Sequence, residues 1–172
     1  NNGASGAIDF YIRQSGWPWV NHIHSTAEPY DGEWHHVVFV QEGGERRVYV
    51  DGELDDLDIA AKPDGTFRVN DTTIGGILRS SASHWVTGLI DDVAIWNRAL
   101  SDDEAAQLHA EGLASVFPSL GNGLIAYWPL DEVQGTKTPE LVNGYDMELT
   151  NLSAEDVVEG RIGNAFSFSN EK

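Results

Sequence analysis

The segment from Gly88 to Ser101, with the sequence GLIDDVAIWNRALS, restricts the possible folds of this chain more than any other feature. It belongs to an apolar pattern that predicts a strand over 85–96, and a helix is predicted to begin directly after it. Ser101 can cap that helix, and Glu104 stands where it completes a capping box. The two aspartates between them place negative charge where the helix dipole is positive. We therefore expect one short helix, ended by Gly112, next to strands.

Short strand patterns separated by tight turns recur through the rest of the chain. They lie at 7–13, 17–24, 34–41, 46–50, 66–69, 72–77, 124–132, 147–149 and 165–169. Asp51-Gly52 is the strongest turn signal, because both residues tolerate the positive φ that a tight hairpin needs. Strands this short and closely spaced predict an all-β fold, an antiparallel β-sandwich. Residues 113–123, which contain Pro118 and two glycines, are expected to be a linker.

The composition narrows the class of protein and of partner. The 18 glycines and 6 tryptophans fit a turn-rich, aromatic-rich β protein. Acidic residues outnumber basic ones by 28 to 10, which gives a formal net charge of −18. Charge of this sign repels phosphate backbones and anionic lipids, so we expect no nucleic-acid or membrane-surface binding. The chain has no cysteine, which excludes disulfides and zinc–cysteine sites.

The first residues, NNGASG, do not have the pattern of a signal peptide. They are more typical of the interior of a longer protein. The sequence also has no apolar run long enough to cross a bilayer as a helix. We therefore expect a segment of a longer protein, without membrane insertion.

Several sequence pieces resemble those of bacterial laminin G-like domains, which are concanavalin A-like jelly rolls. Four of them resemble the second half of such a domain, in the family's order: GEWHHVVFV, VYVDGEL, TTIGG and GLIDDVAIWNRALSDDE. Three pieces that follow resemble the first half: GLIAYWPLDE, LVNGYDMEL and EGRIGNAFSFSN. The resemblance implies an antiparallel jelly-roll sandwich. The arrangement differs from the family's, because the end half precedes the start half and a middle stretch is not seen.

The resemblance divides the chain into a C-terminal portion of a sandwich over 1–112, the linker over 113–123, and strands of the N-terminal type over 124–172. The last part either completes the same sandwich or opens the next repeat of a tandem array. A further alternative is strand exchange between neighbouring chains, which leads to rings or filaments. We favour completion of one sandwich, because two separate pieces would expose unpaired strand edges. Leu124–Leu130 would then pair with Leu89–Trp96.

Four acidic residues form a candidate calcium site. Asp91 and Asp92 are expected on one strand, with Asp131 and Glu132 at the end of another, which the resemblance makes its neighbour. Up to four carboxylates would then converge, and oxygen ligands in irregular geometry suit calcium. Alternation places Asp91 and Asp92 on opposite faces, so only one of them can point at a given ion. The alternative is that these acids are solvated strand ends in an acid-rich chain.

A candidate sugar-binding face lies in the predicted strand 17–24. Trp17 and Trp19 would share one face, and His22 and His24 the other. Flat aromatic rings can stack on pyranose faces while polar neighbours bind hydroxyl groups, which favours a carbohydrate ligand. The alternative is that the tryptophans fill the core and the histidines face water. The two histidines could also hold a transition metal, although no third ligand is evident.

The remaining histidines carry no predicted chemistry. His35 and His36 follow Trp34 in one of the family-like pieces, where packing is the expected role. His84 and His109 have no neighbouring motif, so each is expected to stand alone.

The acidic run Glu53–Asp58 superficially resembles the paired-acid strand of retaining glucanases. Those enzymes need two carboxylates about 5 Å apart across the scissile bond. Here the run begins directly after the Asp51-Gly52 turn, and its last acid is Asp rather than Glu. The laminin G-like pattern already accounts for it as part of a hairpin. We therefore predict no enzymatic activity, with a retaining glucanase as the remote alternative.

The sequence as a whole predicts a noncatalytic recognition module of an extracellular or cell-surface protein. Its partner would be a polysaccharide or glycoconjugate, or a surface protein, with calcium bracing the loops. The rival hypothesis is a structural or adhesive repeat that associates with neighbouring copies. The fold does not decide between them, because this sandwich hosts lectins, adhesins, hydrolases and spacers.

Overall fold

The computed structural model describes residues 6–12, 21–58, 71–78 and 81–169. The chain divides into two compact units, each built from two stretches of sequence: Asn1–Gly65 with Arg98–Gly121, and Thr66–Asn97 with Asn122–Lys172. Every strand pair within the described ranges is antiparallel. The same ranges contain two short α-helices and one 3-10 turn. The predicted all-β antiparallel class is confirmed, with two α-helices where one was expected.

The described part of the first unit contains five strands and two helices. They are β1 (Asp9–Ile12), β2 (Asn21–His24), β3 (Val37–Glu42), β4 (Glu45–Val50), β5 (Glu53–Asp58), α1 (Asp102–Glu111) and α2 (Leu113–Leu120). β1 pairs with β2, and β3, β4 and β5 form a three-stranded sheet in that order. The φ angles of Asp51 and Gly52 are 52° and 83°, so the predicted hairpin turn joins β4 to β5.

The two faces of β4 have different environments. Val48 and Val50 are buried with Ile23 of β2 in one apolar cluster. Arg47 and Tyr49 instead reach Asp102 at the start of α1. The Tyr49 hydroxyl donates to Asp102 Oδ1 at 2.6 Å, and Arg47 Nη1 lies 3.6 Å from the same oxygen. Within this unit, α1 therefore approaches the sheet from the face opposite β2.

Helix α1 begins and ends as its sequence predicts. The Glu104 N–H donates to Ser101 Oγ at 3.2 Å, and the Ser101 N–H donates to Glu104 Oε2 at 2.9 Å. This reciprocal pair is the capping box. At the other end Gly112 has a φ of 72°, and its N–H donates to the Leu108 carbonyl at 2.9 Å.

Most of the segment 113–123, which is predicted to be a linker, is the helix α2. Leu113, Val116 and Leu120 recur at helical spacing, and all three are buried. Burial of this face stabilises the helix although Pro118 has no N–H to donate within it. The proline and the glycines suggested a break in the chain, whereas the apolar spacing decides the structure.

The described part of the second unit contains nine strands. They are β6 (Ile77–Leu78), β7 (Ala82–Ser83), β8 (Gly88–Ile90), β9 (Val93–Trp96), β10 (Leu124–Trp128), β11 (Lys137–Thr138), β12 (Met147–Glu148), β13 (Val157–Glu159) and β14 (Asn164–Phe168). A 3-10 turn over Ala154–Asp156 precedes β13. The strands pair as β6–β7, β9–β10, β11–β12 and β13–β14–β8.

The expected pairing between the part that resembles the end of a domain and the part that resembles its start is present in the second unit. β10 runs antiparallel to β9, with Ala126 opposite Ile95 and Trp128 opposite Val93. Ala126, Trp128 and Leu130 are buried with Phe166 of β14 in the apolar core of this unit. The pairing of Leu124–Leu130 with Leu89–Trp96 is thus confirmed for β9. The division into the domains 1–112, 113–123 and 124–172 stays a prediction.

The predicted strand 85–96 is not continuous, because it is broken at Asp91 and Asp92. β8 before the break pairs with β14, and β9 after it pairs with β10. Asp92 has a left-handed φ of 51°, which no continuous strand allows. Its N–H donates to the Pro129 carbonyl at 3.3 Å. The aspartates therefore lie in a connection between two sheets rather than on opposite faces of one strand.

Neither of the helices in the described ranges combines the length and the apolar character that a membrane span requires.

Candidate functional site

Two of the predicted calcium ligands hold the turn between β13 and β14. Asp91 Oδ2 accepts hydrogen bonds from the backbone N–H groups of Arg161, at 2.8 Å, and Ile162, at 3.1 Å. Asp131 Oδ1 accepts one from the Asn164 N–H at 2.6 Å, and the Asn164 side-chain amide donates to the Asp131 carbonyl at 3.1 Å. The two carboxylates thus supply acceptors for a turn whose own backbone leaves these donors unpaired.

The turn fits against these carboxylates because it has glycine at both close approaches. A Cβ added to Gly160 would lie 2.7 Å from Asp91 Oδ2, and one added to Gly163 would lie 2.5 Å from Asp131 Oδ1. Gly163 also has a φ of 74°, which side chains rarely adopt. The GRIG sequence and the two aspartates therefore form one structural unit.

Asp92 has a different partner. Its Oδ1 accepts a hydrogen bond from the Tyr127 hydroxyl of β10 at 2.5 Å. Burial raises the pKa of the Tyr127 hydroxyl, and the carboxylate of Asp92 raises it further, so the tyrosine keeps its proton and donates it. Asp92 thereby links the β8–β9 connection to β10.

The three aspartates are close enough to oppose one another's ionisation. Burial raises the pKa of Asp91, and the negative charge of Asp131 adds to that effect. Burial raises the pKa of Asp92 to about 6, and the charges of Asp91 and Asp131 again add to it. Three acids in one partly buried place are thus held at an electrostatic cost.

The fit of calcium to this place depends on which oxygens are available. Asp91 Oδ1 is buried and accepts no hydrogen bond from the part of the chain that the structure describes. A cation bound to that oxygen would give it a partner and would offset the repulsion among the three carboxylates. However, the described residues contain no group of three or more His, Asp and Glu side chains arranged to hold a metal. One oxygen of each aspartate already accepts a hydrogen bond, and Asp91 Oδ1 is the buried oxygen among them that clearly suits a cation.

Glu132, the fourth predicted ligand, is engaged elsewhere. Its side chain is exposed, and its Oε1 accepts a hydrogen bond from Gln134 Nε2 at 2.9 Å. The part of Glu132 in a metal site stays a prediction.

Only part of the predicted sugar-binding face lies among the residues that the structure describes. Trp17 and Trp19 lie outside the described residues. The backbone of His22 pairs with Tyr11 across β1 and β2. The His24 side chain is exposed, and its Nδ1 lies 3.9 Å from Asp9 Oδ1. The role of these four residues in binding stays a prediction.

His35 is a hydrogen-bonded group rather than a packing residue. Its Nδ1 lies 2.8 Å from Asp51 Oδ2, and its Nε2 lies 3.2 Å from Asp31 Oδ1. The hydrogen bond with Asp51 raises the pKa of His35, which burial opposes and Asp31 supports. The other oxygen of Asp51 accepts the His36 N–H at 2.9 Å. The charged pair thus fixes the backbone that leads into β3.

His109 does not stand alone, because its ring stacks on His36. The ring centroids are 5.9 Å apart and the planes differ by 13°. Burial lowers the pKa of His36, and the charge of a protonated His109 lowers it further. Both rings therefore pack best when His36 is neutral. His84, which was also expected to be isolated, has its Nδ1 at 2.9 Å from Ser83 Oγ.

The acidic strand β5 has a structural acceptor at its centre. Asp55 accepts hydrogen bonds from the Thr26 N–H at 2.5 Å, the Thr26 hydroxyl at 2.8 Å and the Ala27 N–H at 3.0 Å. An open cleft of about 330 Å³ lies beside it, between Ala27 and the β4–β5 turn. Glu53 is exposed at this cleft. Asp55 thus anchors the segment after β2, a role that the sequence pattern did not predict.

Another structural acid, Glu140, is not detectable from the sequence. It is buried and accepts four backbone N–H groups, those of Tyr127, Val142, Asn143 and Tyr145. Burial alone would raise the pKa of Glu140, but these hydrogen bonds keep it below its ordinary value. The loop around it is therefore fixed. One of its donors lies 13 residues away in sequence, so no local motif reveals it.

Comparison with known proteins finds a family that the chain matches. A laminin G-like family model, described as the concanavalin A-like lectin/glucanases superfamily, matches residues 2–106. The human adhesion G-protein coupled receptor D1 is 30% identical over 128 residues, which are 70% of this chain and 14% of the receptor. The chain thus spans a small part of that relative.

A solved structure is also similar. A crystal structure of an S-layer domain-containing protein from Clostridium thermocellum is 29% identical and has a TM-score of 0.43. The match covers 60% of this chain and 51% of that one. The family model alone spans more than half of the chain, and the antiparallel strands agree with it. The chain therefore belongs to the laminin G-like family of the concanavalin A-like lectin/glucanases superfamily, and its fold is the all-β sandwich class of that family.

Proposed function

We propose that this chain is a noncatalytic recognition module of an extracellular or cell-surface protein, and that its ligand is a carbohydrate. The observation that carries the proposal is the match of residues 2–106 to a superfamily whose description includes lectins. The relative that is named as an adhesion receptor supports a role in surface recognition.

The absence of catalysis is part of the proposal, and the state of β5 supports it. Retaining glucanases need two carboxylates that face the substrate together. Asp55 accepts three hydrogen bonds from the segment after β2, so it serves that segment rather than a substrate. We expect no glucanase activity in the wild-type chain. Hydrolysis of a β-glucan that disappears in Glu53→Gln would contradict this.

The charge of the chain indicates which carbohydrates to test. A formal net charge of −18 repels sulfated and uronic-acid polysaccharides, so neutral glycans are favoured. A glycan array probed with the intact chain tests the proposal. Binding to neutral glycans supports it. A blank array, with capture of the chain by a cell-surface protein, would replace the carbohydrate by a protein partner.

Association with neighbouring copies is the rival function. In the second unit, β9 and β10 pair with each other, so this pairing needs no second copy and is compatible with a closed monomer. Size-exclusion chromatography with light scattering distinguishes them. We expect a monomer at all concentrations tested. A concentration-dependent series of larger species would support the structural repeat.

Calcium binding is a separate part of the proposal. The atom that supports it is Asp91 Oδ1, which is buried and accepts no hydrogen bond from the described residues. The negative charge of Asp131 acts on the same carboxylate, and a cation would offset it. Bound calcium would raise the melting temperature, because it binds only the folded arrangement. Thermal unfolding with calcium and with a chelator tests this, and Asp91→Asn is the control. Identical curves would remove calcium from the proposal without affecting carbohydrate recognition.

A further inference from the structure

Trp85 is a large aromatic side chain that the second unit leaves uncovered. It follows β7 and precedes β8, and 54% of it is exposed. Exposure of so much of an indole is unusual for a residue that folding normally buries. The side chain is nevertheless held in a defined place, which distinguishes it from a freely moving surface group.

The indole of Trp85 lies directly against Gly76. A Cβ added to Gly76 would lie 2.6 Å from Trp85 Cε3 and 2.7 Å from Cζ3. The contact is therefore with one edge of the ring, and Gly76 covers neither ring face completely. The neighbouring Gly75 makes an equally close contact with Phe168, a residue packed against the core. Two successive glycines thus each make room for an aromatic ring.

Hydrogen bonds fix the backbone on both sides of this contact. The Val86 N–H donates to the Gly75 carbonyl at 2.8 Å, and the Thr73 hydroxyl donates to the Gly76 carbonyl at 2.7 Å. Polar groups stand directly before the indole in the chain. His84 is exposed with a left-handed φ of 57°, and its ring is bonded to Ser83 Oγ at 2.9 Å.

The geometry points to Trp85 as a stacking platform for a neutral pyranose ring, with His84 and Ser83 binding its hydroxyl groups. The inference rests on the proposed carbohydrate recognition and assigns it a place. The C–H bonds on one face of a pyranose are attracted to the negative face of an aromatic ring. The imidazole and the hydroxyl that directly precede Trp85 in the chain supply both donors and acceptors. The acidic chain disfavours anionic sugars here.

A purely structural role is the competing explanation for the same contact. An aromatic ring across a glycine stabilises a strand pair by covering it. In that case the loss of the ring would lower stability and leave ligand binding unchanged. The two roles therefore predict different results for the same variants.

The test measures binding of neutral gluco-, manno-, galacto- and xylo-oligosaccharides to the chain by calorimetry, with a polyuronate as the charged comparison. Trp85→Ala is expected to weaken binding of the best oligosaccharide by about tenfold or more, and Trp85→Phe by less. Gly76→Ala is expected to weaken it too, because the added methyl displaces the ring. Tyr145→Ala is the matched control, since Tyr145 is another aromatic residue of the same unit and is 64% exposed.

The outcomes separate this inference from the proposed function. If the wild-type chain binds an oligosaccharide and Trp85→Ala binds it equally well, Trp85 is not the platform, while carbohydrate recognition stands. Loss of that binding in Trp17→Ala or Trp19→Ala would then locate it elsewhere. If the wild-type chain binds none of the neutral sugars, both proposals fail. Thermal unfolding of each variant identifies any that has lost its fold, and Trp85→Phe then decides.

Discussion

At the scale of single residues, four buried or half-buried acids of this chain hold the backbone by accepting N–H groups. Asp91 and Asp131 hold one turn, Asp55 holds the segment after β2, and Glu140 holds a loop. The sequence showed clustered acids but not these partners. The N–H groups that Asp91 accepts lie 70 and 71 residues away, so only the pairing of distant strands brings them together.

The electrostatic cost of the three aspartates gives a first prediction. The folded pKa of Asp92 is about 6, above its ordinary value of 3.8. The folded state therefore holds this proton more tightly, and the associated stability is lost as the pH rises through about 6. Asp92→Asn removes the charge and keeps an acceptor for Tyr127. We expect it to stabilise the protein at neutral pH by roughly 1–2 kcal/mol, allowing for solvent screening.

Chemical denaturation across the pH range measures this effect. The advantage of Asp92→Asn should shrink below pH 4, where both proteins are neutral at this position. Asp92→Ala is the control, because it removes the charge and also leaves the Tyr127 hydroxyl without its acceptor. A destabilised Asp92→Asn at neutral pH would show that the charge itself, for example through a bound cation, is needed.

His35 gives a second prediction, in which the substitution destabilises the protein. Its raised pKa means that its ion pair stabilises the fold fully below about pH 6.5 and loses that effect as the pH rises through the folded value. We expect His35→Gln to cost more stability at about pH 5 than at about pH 8. The difference between wild type and variant isolates His35 from His36, whose lowered pKa acts in the reverse direction. His84→Gln is the control, and an equal loss at both pH values would refute the assignment.

At the scale of elements, the sequence predicts those turns and helix ends whose residues are close together in the chain. It does not predict the features that depend on contacts with distant segments. The Asp51-Gly52 hairpin and the capping box of α1 formed as predicted, because each is complete within four residues of chain. The segment of helix α2 is predicted to be a linker, because Pro118 and the glycines indicate a break where the apolar spacing indicates a helix. The strand break at Asp91 was also missed, because the turn that binds this residue is distant.

The β13–β14 turn supplies the prediction at this scale. Gly163→Ala places a side chain at a φ of 74°, which costs about 1–3 kcal/mol, and also displaces the Asp131 carboxylate. Gly144→Ala has the same backbone penalty, with a φ of 73° and no heavy atom within 4 Å of the added Cβ. Thermal unfolding should show a larger loss for Gly163→Ala. Equal losses would mean that the contact with Asp131 contributes nothing.

At the scale of the whole chain, the order of the sequence pieces determines which strands are neighbours. The resemblance of the two parts to the end and the start of one domain predicted that β10 would lie beside β9, and it does. Composition and periodicity alone would not have predicted this, because neither relates segments so far apart. The identity of the ligand depends on side chains at the surface, and the fold leaves it open.

The proposed single sandwich requires β9 to pair with β10 within one molecule, and a pair of introduced thiols tests this pairing directly. The chain has no cysteine of its own, so the double variant Ile95→Cys and Ala126→Cys contains the only two thiols. Residues opposite each other on antiparallel strands have Cα atoms about 4.5–5.5 Å apart, within the range of a disulfide. Peptide mapping by mass spectrometry after mild oxidation should find a disulfide that joins the two substituted positions inside a monomer. Free thiols, or a disulfide that joins two chains, would contradict the account.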